Sequence, residues 1–268
     1  GLARPQFGTK LQEVKRKGVE IIIALDVSNS MNATDIQPSR LERAKQVISS
    51  LVDRLSDDKI GLIVFAGDAY TQIPITTDYV SAKMFLSNIT TSSVPVQGTA
   101  IGKAINLGVK SFTNSDLQKV IIVITDGENH EDDPVDAAKQ ANEKGILVYT
   151  IGMGMPEGAP IPEGPSYLQN FKRDKNGNIV ISKLDEETLA KTALAGGGEY
   201  MRGNNAYAGI KKLFERLEKL NRKEYESKIY SEYDDQFHYF FFLALILLII
   251  EFSIIEKKNK LFANFKLY

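Results

Sequence analysis

The chain has 268 residues, enough for one large α/β domain with appendages, since domains commonly hold about 100 to 200 residues. With 33 Lys and Arg against 34 Asp and Glu the net charge is −1, which gives no electrostatic reason for binding along nucleic acid. There is no cysteine and there are two histidines, His130 and His238, so thiolate zinc sites, iron–sulfur clusters, cysteine nucleophiles and disulfide frameworks are excluded and any metal must sit on oxygen.

The chain opens on Gly1 rather than methionine, as expected of a fragment or a processed product, and begins with a polar leading segment, 1–18. Four short runs, 19–25, 60–65, 120–125 and 146–151, are apolar on both faces, the pattern of strands in a parallel sheet covered on both sides. Helical spacing separates them: Leu41, Ala44, Val47, Ile48, Leu51 and Leu55, then Ile101, Ile105, Val109 and Phe112. Weaker helices are predicted over 133–144 and 186–194, and a strong one over 207–220 through Ile210, Leu213, Phe214, Leu217 and Leu220. The fold class is therefore α/β, with the domain over 19–222. Within it, about 153–183, the periodicity fails: Pro156, Pro160, Pro162 and Pro165 precede Asn176-Gly177, which predicts a loop followed by a β-hairpin.

A linker, 223–236, leads to 237–255, which is nearly all apolar but for Glu251. Nineteen helical residues reach roughly 28 Å, close to the ~30 Å hydrocarbon core, so the segment is long enough to cross a membrane; a core or interfacial helix is the alternative. Glu232, Asp234 and Asp235 precede it, whereas Lys257, Lys258 and Lys260 lie in the basic tail, 256–268. Excess lysine marks the cytoplasmic flank, which predicts that the large domain lies outside the cytoplasm. Lys15, Arg16 and Lys17 weaken that asymmetry if another membrane helix precedes Gly1.

At the end of the first predicted strand stands Asp26-Val27-Ser28-Asn29-Ser30, a D-x-S-x-S pattern. Alternate residues of an extended chain face the same way, so three oxygen-bearing side chains can converge there. Asp126 ends the third run and is followed by Gly127, which permits a sharp turn, and Thr99 follows Gly98 just before a helix. In doubly wound sheets ligands gather at the carboxyl ends of strands where the strand order reverses. If the strands bearing Asp26 and Asp126 are neighbours, three hydroxyls and two carboxylates form a hard-oxygen set suited to Mg²⁺ or Mn²⁺ rather than zinc. Taken alone, Asp26 and Ser28 also read as ordinary turn and cap residues.

This order of motifs, D-x-S-x-S, then Gly98-Thr99 at a helix start, then an apolar strand ending Thr125-Asp126-Gly127, resembles the von Willebrand factor A domain and its metal-ion-dependent adhesion site over about 19–220. The resemblance implies a mainly parallel six-strand sheet with one antiparallel edge strand and helices on both faces. It also implies Ser28, Ser30 and Thr99 as direct ligands, with Asp26 and Asp126 in supporting, often water-mediated roles. More narrowly, Ala3-Arg4-Pro5-Gln6, Leu25-Asp26-Val27-Ser28-Asn29-Ser30-Met31, Arg40-Leu41-Glu42-Arg43-Ala44-Lys45 and Val96-Gln97-Gly98-Thr99-Ala100-Ile101-Gly102 resemble the bacterial aerotolerance-operon (Bat) membrane proteins of BatA/BatB type. That resemblance implies a bacterial inner-membrane protein with its domain on the periplasmic side, assembled with sibling Bat proteins and linked to a MoxR-type AAA+ ATPase in stress tolerance.

The expected function is a membrane-anchored binding module whose Mg²⁺ engages an Asp or Glu carboxylate of a protein partner, without catalysis. The rival is a metal-dependent hydrolase or phosphoryl-transfer enzyme, since an aspartate after the first strand also suits phosphate chemistry; Ser28 stands where that enzyme would need a second acid. A structural anchor with a vestigial metal site is a third reading. Other motifs carry less: Gly98 to Lys103 is one residue short of a phosphate loop and has Ala104 in place of its Ser or Thr. His130 beside Glu131, Asp132 and Asp133 reads as a solvated loop residue or a base. Lys211, Lys212, Arg216 and Lys219 read as a solvated helix face or a partner surface.

Overall fold

The computed structural model describes residues 18–129, 131–163, 170–203 and 237–255. The chain divides into two units, one of residues 16–221 and one of 1–15 with 222–268. The larger unit is built on a six-strand sheet of β1 (Glu20–Asp26), β2 (Lys59–Phe65), β3 (Ala69–Thr76), β4 (Lys119–Thr125), β5 (Ile146–Gly152) and β8 (Gly197–Arg202). The order is β3-β2-β1-β4-β5-β8; all neighbours run parallel except the antiparallel edge pair β2–β3. The mostly parallel six-strand α/β sheet with flanking helices is thus present.

Alternation along β1 feeds two cores. Ile21, Ile23 and Leu25 pack with Leu41, Val47, Ile48 and Leu51 of α1 (Arg40–Val52) and with Ala82 and Leu86 of α2 (Tyr79–Ser87). Ile22 and Ala24 face Ile101, Ala104 and Ile105 of α3 (Ile101–Ser111), Ala137, Ala138 and Ala141 of α4 (Pro134–Glu143), and Leu189 of α5 (Glu186–Ala195). Both faces of the strand are covered, which is why its sequence reads as a continuous apolar run. Ser39 caps α1 by accepting the Glu42 N–H, and Asp133 caps α4 by accepting from Val135 and Asp136, with Pro134 at the first helical position.

Two strands and one helix had no clear periodic signal. β3 is an edge strand, half exposed, whose pairing with β2 is irregular around Leu62 and which contains Pro74. β8 opens on Gly197-Gly198 and buries little of its length. α2 leaves Val80, Met84 and Phe85 exposed, which blurs its apolar stripe.

Between β5 and α5 lies a narrow antiparallel ribbon of β6 (Ala159–Pro160) and β7 (Ile181–Ser182), extended by bridges Pro162 to Phe171 and Arg173 to Ile179. Its tip turns at Asp174, which accepts the N–H groups of Asn176 and Asn178, with Gly177 at φ 85°.

The second unit contributes α6 (Phe237–Ile255), 19 residues long. Its described side chains, 241–251, are all exposed. The apolar ones, 241–250, cover about 15 Å of helix, half a hydrocarbon core, and among the described residues no helix is long and apolar enough to cross a membrane. The leading segment before Gly18, the predicted helix 207–220 with Lys211, Lys212, Arg216 and Lys219, the linker, the basic tail and His130 lie outside the described residues.

Candidate metal centre

β1 and β4 are adjacent, with Leu25 paired to Ile124, and from them the chain departs to opposite sides of the sheet, so their carboxyl ends flank the point where the strand order reverses. Asp26 is the last residue of β1 and Asp126 the first after β4, and both are fully buried. Asp26 Oδ1 accepts the Ser28 N–H at 2.8 Å, and Oδ2 accepts the Thr125 hydroxyl at 2.5 Å. Ser28 and Ser30 hydroxyls lie 2.9 Å apart, both residues are buried, and the Ser30 hydroxyl also bonds to the Asp126 carboxylate. The D-x-S-x-S segment therefore brings Asp26, Ser28, Ser30 and Asp126 to one place.

Thr99 is buried in the loop before α3. That loop is fastened to the carboxyl end of β2 by Ala100 N–H to Ala66 O at 2.7 Å and Gly67 N–H to Val96 O at 3.1 Å. Gln97 Oε1 accepts the Asn29 N–H at 3.0 Å, joining it to the serine segment. Asp132, from the loop after Asp126, accepts the Gly102 and Lys103 N–H groups at 3.0 and 2.7 Å. A carboxylate of the protein itself thus occupies the first turn of α3, which rules out a phosphate loop there. Asp26, at the end of β1, and the other four predicted residues, beyond the strand ends, stand at the same end of the sheet. After Asp126 the chain turns sharply at Gly127, with φ 83° and the Asp185 carbonyl 2.7 Å from where a Cβ would sit.

Electrostatics mark the centre as short of positive charge. Burial and the nearby Asp126 push the Asp26 carboxyl up to about 7, against which its bonds from Thr125 and Ser28 pull down. Burial likewise raises Asp126, opposed by the Ser30 hydroxyl and the Arg40 guanidinium. Asp26, Asp126 and Asp35, all buried or nearly so, face Arg40, the one buried cation among the described residues, so that with all three ionised two negative charges are unbalanced. A divalent cation held by hydroxyl and carboxylate oxygens fits that deficit in charge and in ligand hardness. Among the described residues no group of three or more His, Cys, Asp and Glu is gathered in this way, so the hydroxyls would have to supply the remaining ligands.

Sequence reasoning passed over Arg40, Asp35, Thr125 and Ser182. Arg40 is completely buried, and its five N–H bonds are all used: Nε and Nη2 to Asp35 at 2.9 and 2.8 Å, Nη1 to Asp126 at 2.9 Å and to the Ser182 hydroxyl at 2.7 Å, and Nη2 to the Ser182 carbonyl at 3.0 Å. A signal existed: Arg40 precedes Ala44 by one turn on the apolar stripe of α1, at the positive end of a helix where a cation is unfavourable without a partner.

Comparison with known proteins bears on the family and the fold. The chain is 52% identical to an aerotolerance-related membrane protein of Bacteroides fragilis, whose solved structure covers 75% of this chain and 100% of that one with a TM-score of 0.73. It is 54% identical to the protein BatB of Bacteroides thetaiotaomicron, over 76% of this chain and 100% of that one, again at 0.73. An uncharacterized protein of Borreliella burgdorferi is 30% identical over 264 residues, 94% of this chain and 73% of its own length. Of the UPF0353 proteins from Nocardia farcinica and several mycobacteria that also match, this chain spans 56% to 61%. Residues 20–189, from β1 to α5, match the von Willebrand factor type A domain, and the chain belongs to that family.

Proposed function

We propose that this chain is a membrane-anchored protein-binding module that uses a divalent cation, Mg²⁺ or Mn²⁺, to engage a carboxylate of a partner. The observation that carries the reading is the buried, charge-deficient pair Asp26 and Asp126 at the β1–β4 switch point, with three buried hydroxyls in the loops around it. Ser28, Ser30 and Thr99 would hold the ion, with Asp26 and Asp126 supporting it through their fixed carboxylates. Bound mostly by neutral oxygens, the ion stays electrophilic and attracts an Asp or Glu from outside.

The apolar helix α6, with exposed Phe, Leu and Ile side chains, would anchor the domain in lipid, and the two Bacteroides relatives fit an envelope role, one of them being described as a membrane protein. Lys257, Lys258 and Lys260 after the helix favour a periplasmic domain. Likeness to Bat proteins favours assembly with sibling Bat proteins and a functional link to a MoxR-type ATPase in aerotolerance. The deciding experiment is calorimetric titration of the full chain in detergent with Mg²⁺ and Mn²⁺, beside Asp26→Ala. One ion bound per chain, lost in the variant while circular dichroism is kept, is expected. Equal affinity in the folded variant would remove the site, and Mg²⁺-dependent turnover of a phosphate or acyl ester, lost in Asp126→Asn, would make the protein an enzyme.

A further inference from the structure

The two carboxylates of the centre are held differently. In Asp126 one oxygen, Oδ2, takes both the Arg40 Nη1–H at 2.9 Å and the Ser182 hydroxyl at 3.2 Å, so both lone-pair directions of that oxygen are occupied. The other oxygen, Oδ1, takes a long bond of 3.3 Å from the Glu128 N–H, and the carboxylate also bonds to the hydroxyl of Ser30, itself a candidate ligand of the ion. The Ser182 hydroxyl accepts from Arg40 and donates to Asp126, closing a ring of three groups that are each fully buried.

This ring is rigid. Asp35 grips the guanidinium with both oxygens, at 2.9 and 2.8 Å, and itself accepts the Met155 N–H at 2.9 Å. The bare backbone of Gly154, at φ 137°, lies against the guanidinium: a Cβ there would be 3.0 Å from Cζ. Ser182 is fixed as part of β7, and the ribbon is tied down beside it by the Leu184 N–H to Met155 O at 3.2 Å and the Lys183 N–H to Glu128 Oε1 at 2.7 Å. Asp126 therefore cannot swing to offer both oxygens to one ion without breaking buried, charge-assisted bonds.

We infer that Arg40 and Ser182 are specificity-determining positioning residues: by holding Oδ2 of Asp126 they leave it at most one oxygen to offer the ion, directly or through a water, and select a small six-coordinate ion over Ca²⁺. The inference rests on the metal-site reading given above. Ca²⁺ takes six to eight oxygens at about 2.3–2.6 Å and is satisfied readily by a two-oxygen carboxylate, whereas Mg²⁺ takes six at about 2.0–2.1 Å and keeps waters. A carboxylate with one oxygen withdrawn suits the second ion and shortchanges the first. The ribbon between β5 and α5 thereby acquires a chemical role, because Ser182 belongs to it.

The test is calorimetric titration of the full chain in detergent with MgCl₂ and with CaCl₂, for wild type, Ser182→Ala and Arg40→Gln, each checked by circular dichroism. Wild type should prefer Mg²⁺, and the ratio of the two affinities should move toward Ca²⁺ by about fivefold in Ser182→Ala and at least about tenfold in Arg40→Gln. If Arg40→Gln does not fold, Ser182→Ala decides, since it removes one hydroxyl and leaves the guanidinium pair intact. Both affinities falling together at a constant ratio would show a merely structural role and overturn the inference, as would a wild type that prefers Ca²⁺. A wild type that binds neither ion would overturn the metal-site reading itself.

Discussion

The Thr125 hydroxyl donates to Oδ2 of Asp26 at 2.5 Å across 99 residues of sequence, joining the carboxyl end of β4 to that of β1. The same oxygen of Thr125 accepts the Gly127 N–H at 3.1 Å, so one side chain orients the first aspartate and the turn that carries the second. Thr125→Val keeps the shape and removes both bonds. Leaving a buried carboxylate oxygen short of its donor costs about 1–3 kcal/mol, so urea unfolding of metal-free Thr125→Val should show a lower midpoint with an unchanged slope. Divalent-ion affinity should fall as well; an unaltered midpoint would mean the bond contributes nothing.

Acid should stabilise the metal-free protein. Asp26 has its carboxyl raised to about 7 when folded, against 3.8 ordinarily, so between those values the folded state holds a proton that the unfolded state has released. Stability then falls as pH rises from about 4 to about 7, by on the order of 4 kcal/mol at about 1.4 kcal/mol per pH unit. Asp126 is raised too and adds in the same direction. Asp35, held low by Arg40 against the opposing pull of burial, titrates below this window. Urea denaturation in chelator across pH 4.5–7.5 reads the slope directly, and saturating Mg²⁺ should flatten it; a metal-free stability that climbs over this range would contradict the buried pair.

Asp132 replaces the missing cap of α3, whose own N-cap position is Ala100. Its removal in Asp132→Ala should cost about 0.5–2 kcal/mol by chemical denaturation, the usual loss of a helix cap. Because the same carboxylate ties the Thr99 loop to the loop after Asp126, ion affinity should drop with it. A stability loss with intact ion affinity would place Thr99 outside the centre.

Thr99 offers the most selective test of ion-mediated partner binding. Thr99→Ala takes away one neutral ligand and leaves both aspartates. Recovery of a partner by affinity capture from cross-linked membranes should fall severalfold in this variant and on chelation, while the melting temperature of the variant without metal stays within about 2 °C of wild type. Capture indifferent to both would favour a structural anchor.

Much of the fold and of the centre was readable because burial on both faces writes itself into sequence. The runs at β1, β2, β4 and β5 stand out for that reason, and Asp26 and Asp126 are conspicuous as the acids that end two of them. Strands β3 and β8 are edges, half solvated, with Pro74 in one and two glycines opening the other, so neither alternation nor apolar density survives. Arg40 was legible only as a cation on an apolar stripe. What it touches depends on Ser182, 142 residues away, and no local pattern encodes such a pairing. The same holds for Asp132, a carboxylate in a polar loop whose partners lie on another helix.

The uneven pairing of β3 bears on how any partner can approach. A regular edge strand is an open template, onto which a second polypeptide can zip by main-chain bonds alone, without regard to its side chains. Here the outermost strand shifts register against β2 around Leu62 and carries at Pro74 a residue with no N–H to give. Sequence-blind strand addition is thereby discouraged along that side of the sheet. On the proposed reading, recognition falls instead to side-chain chemistry at the carboxyl ends of the strands, where a partner would have to present the right group rather than merely an extended backbone.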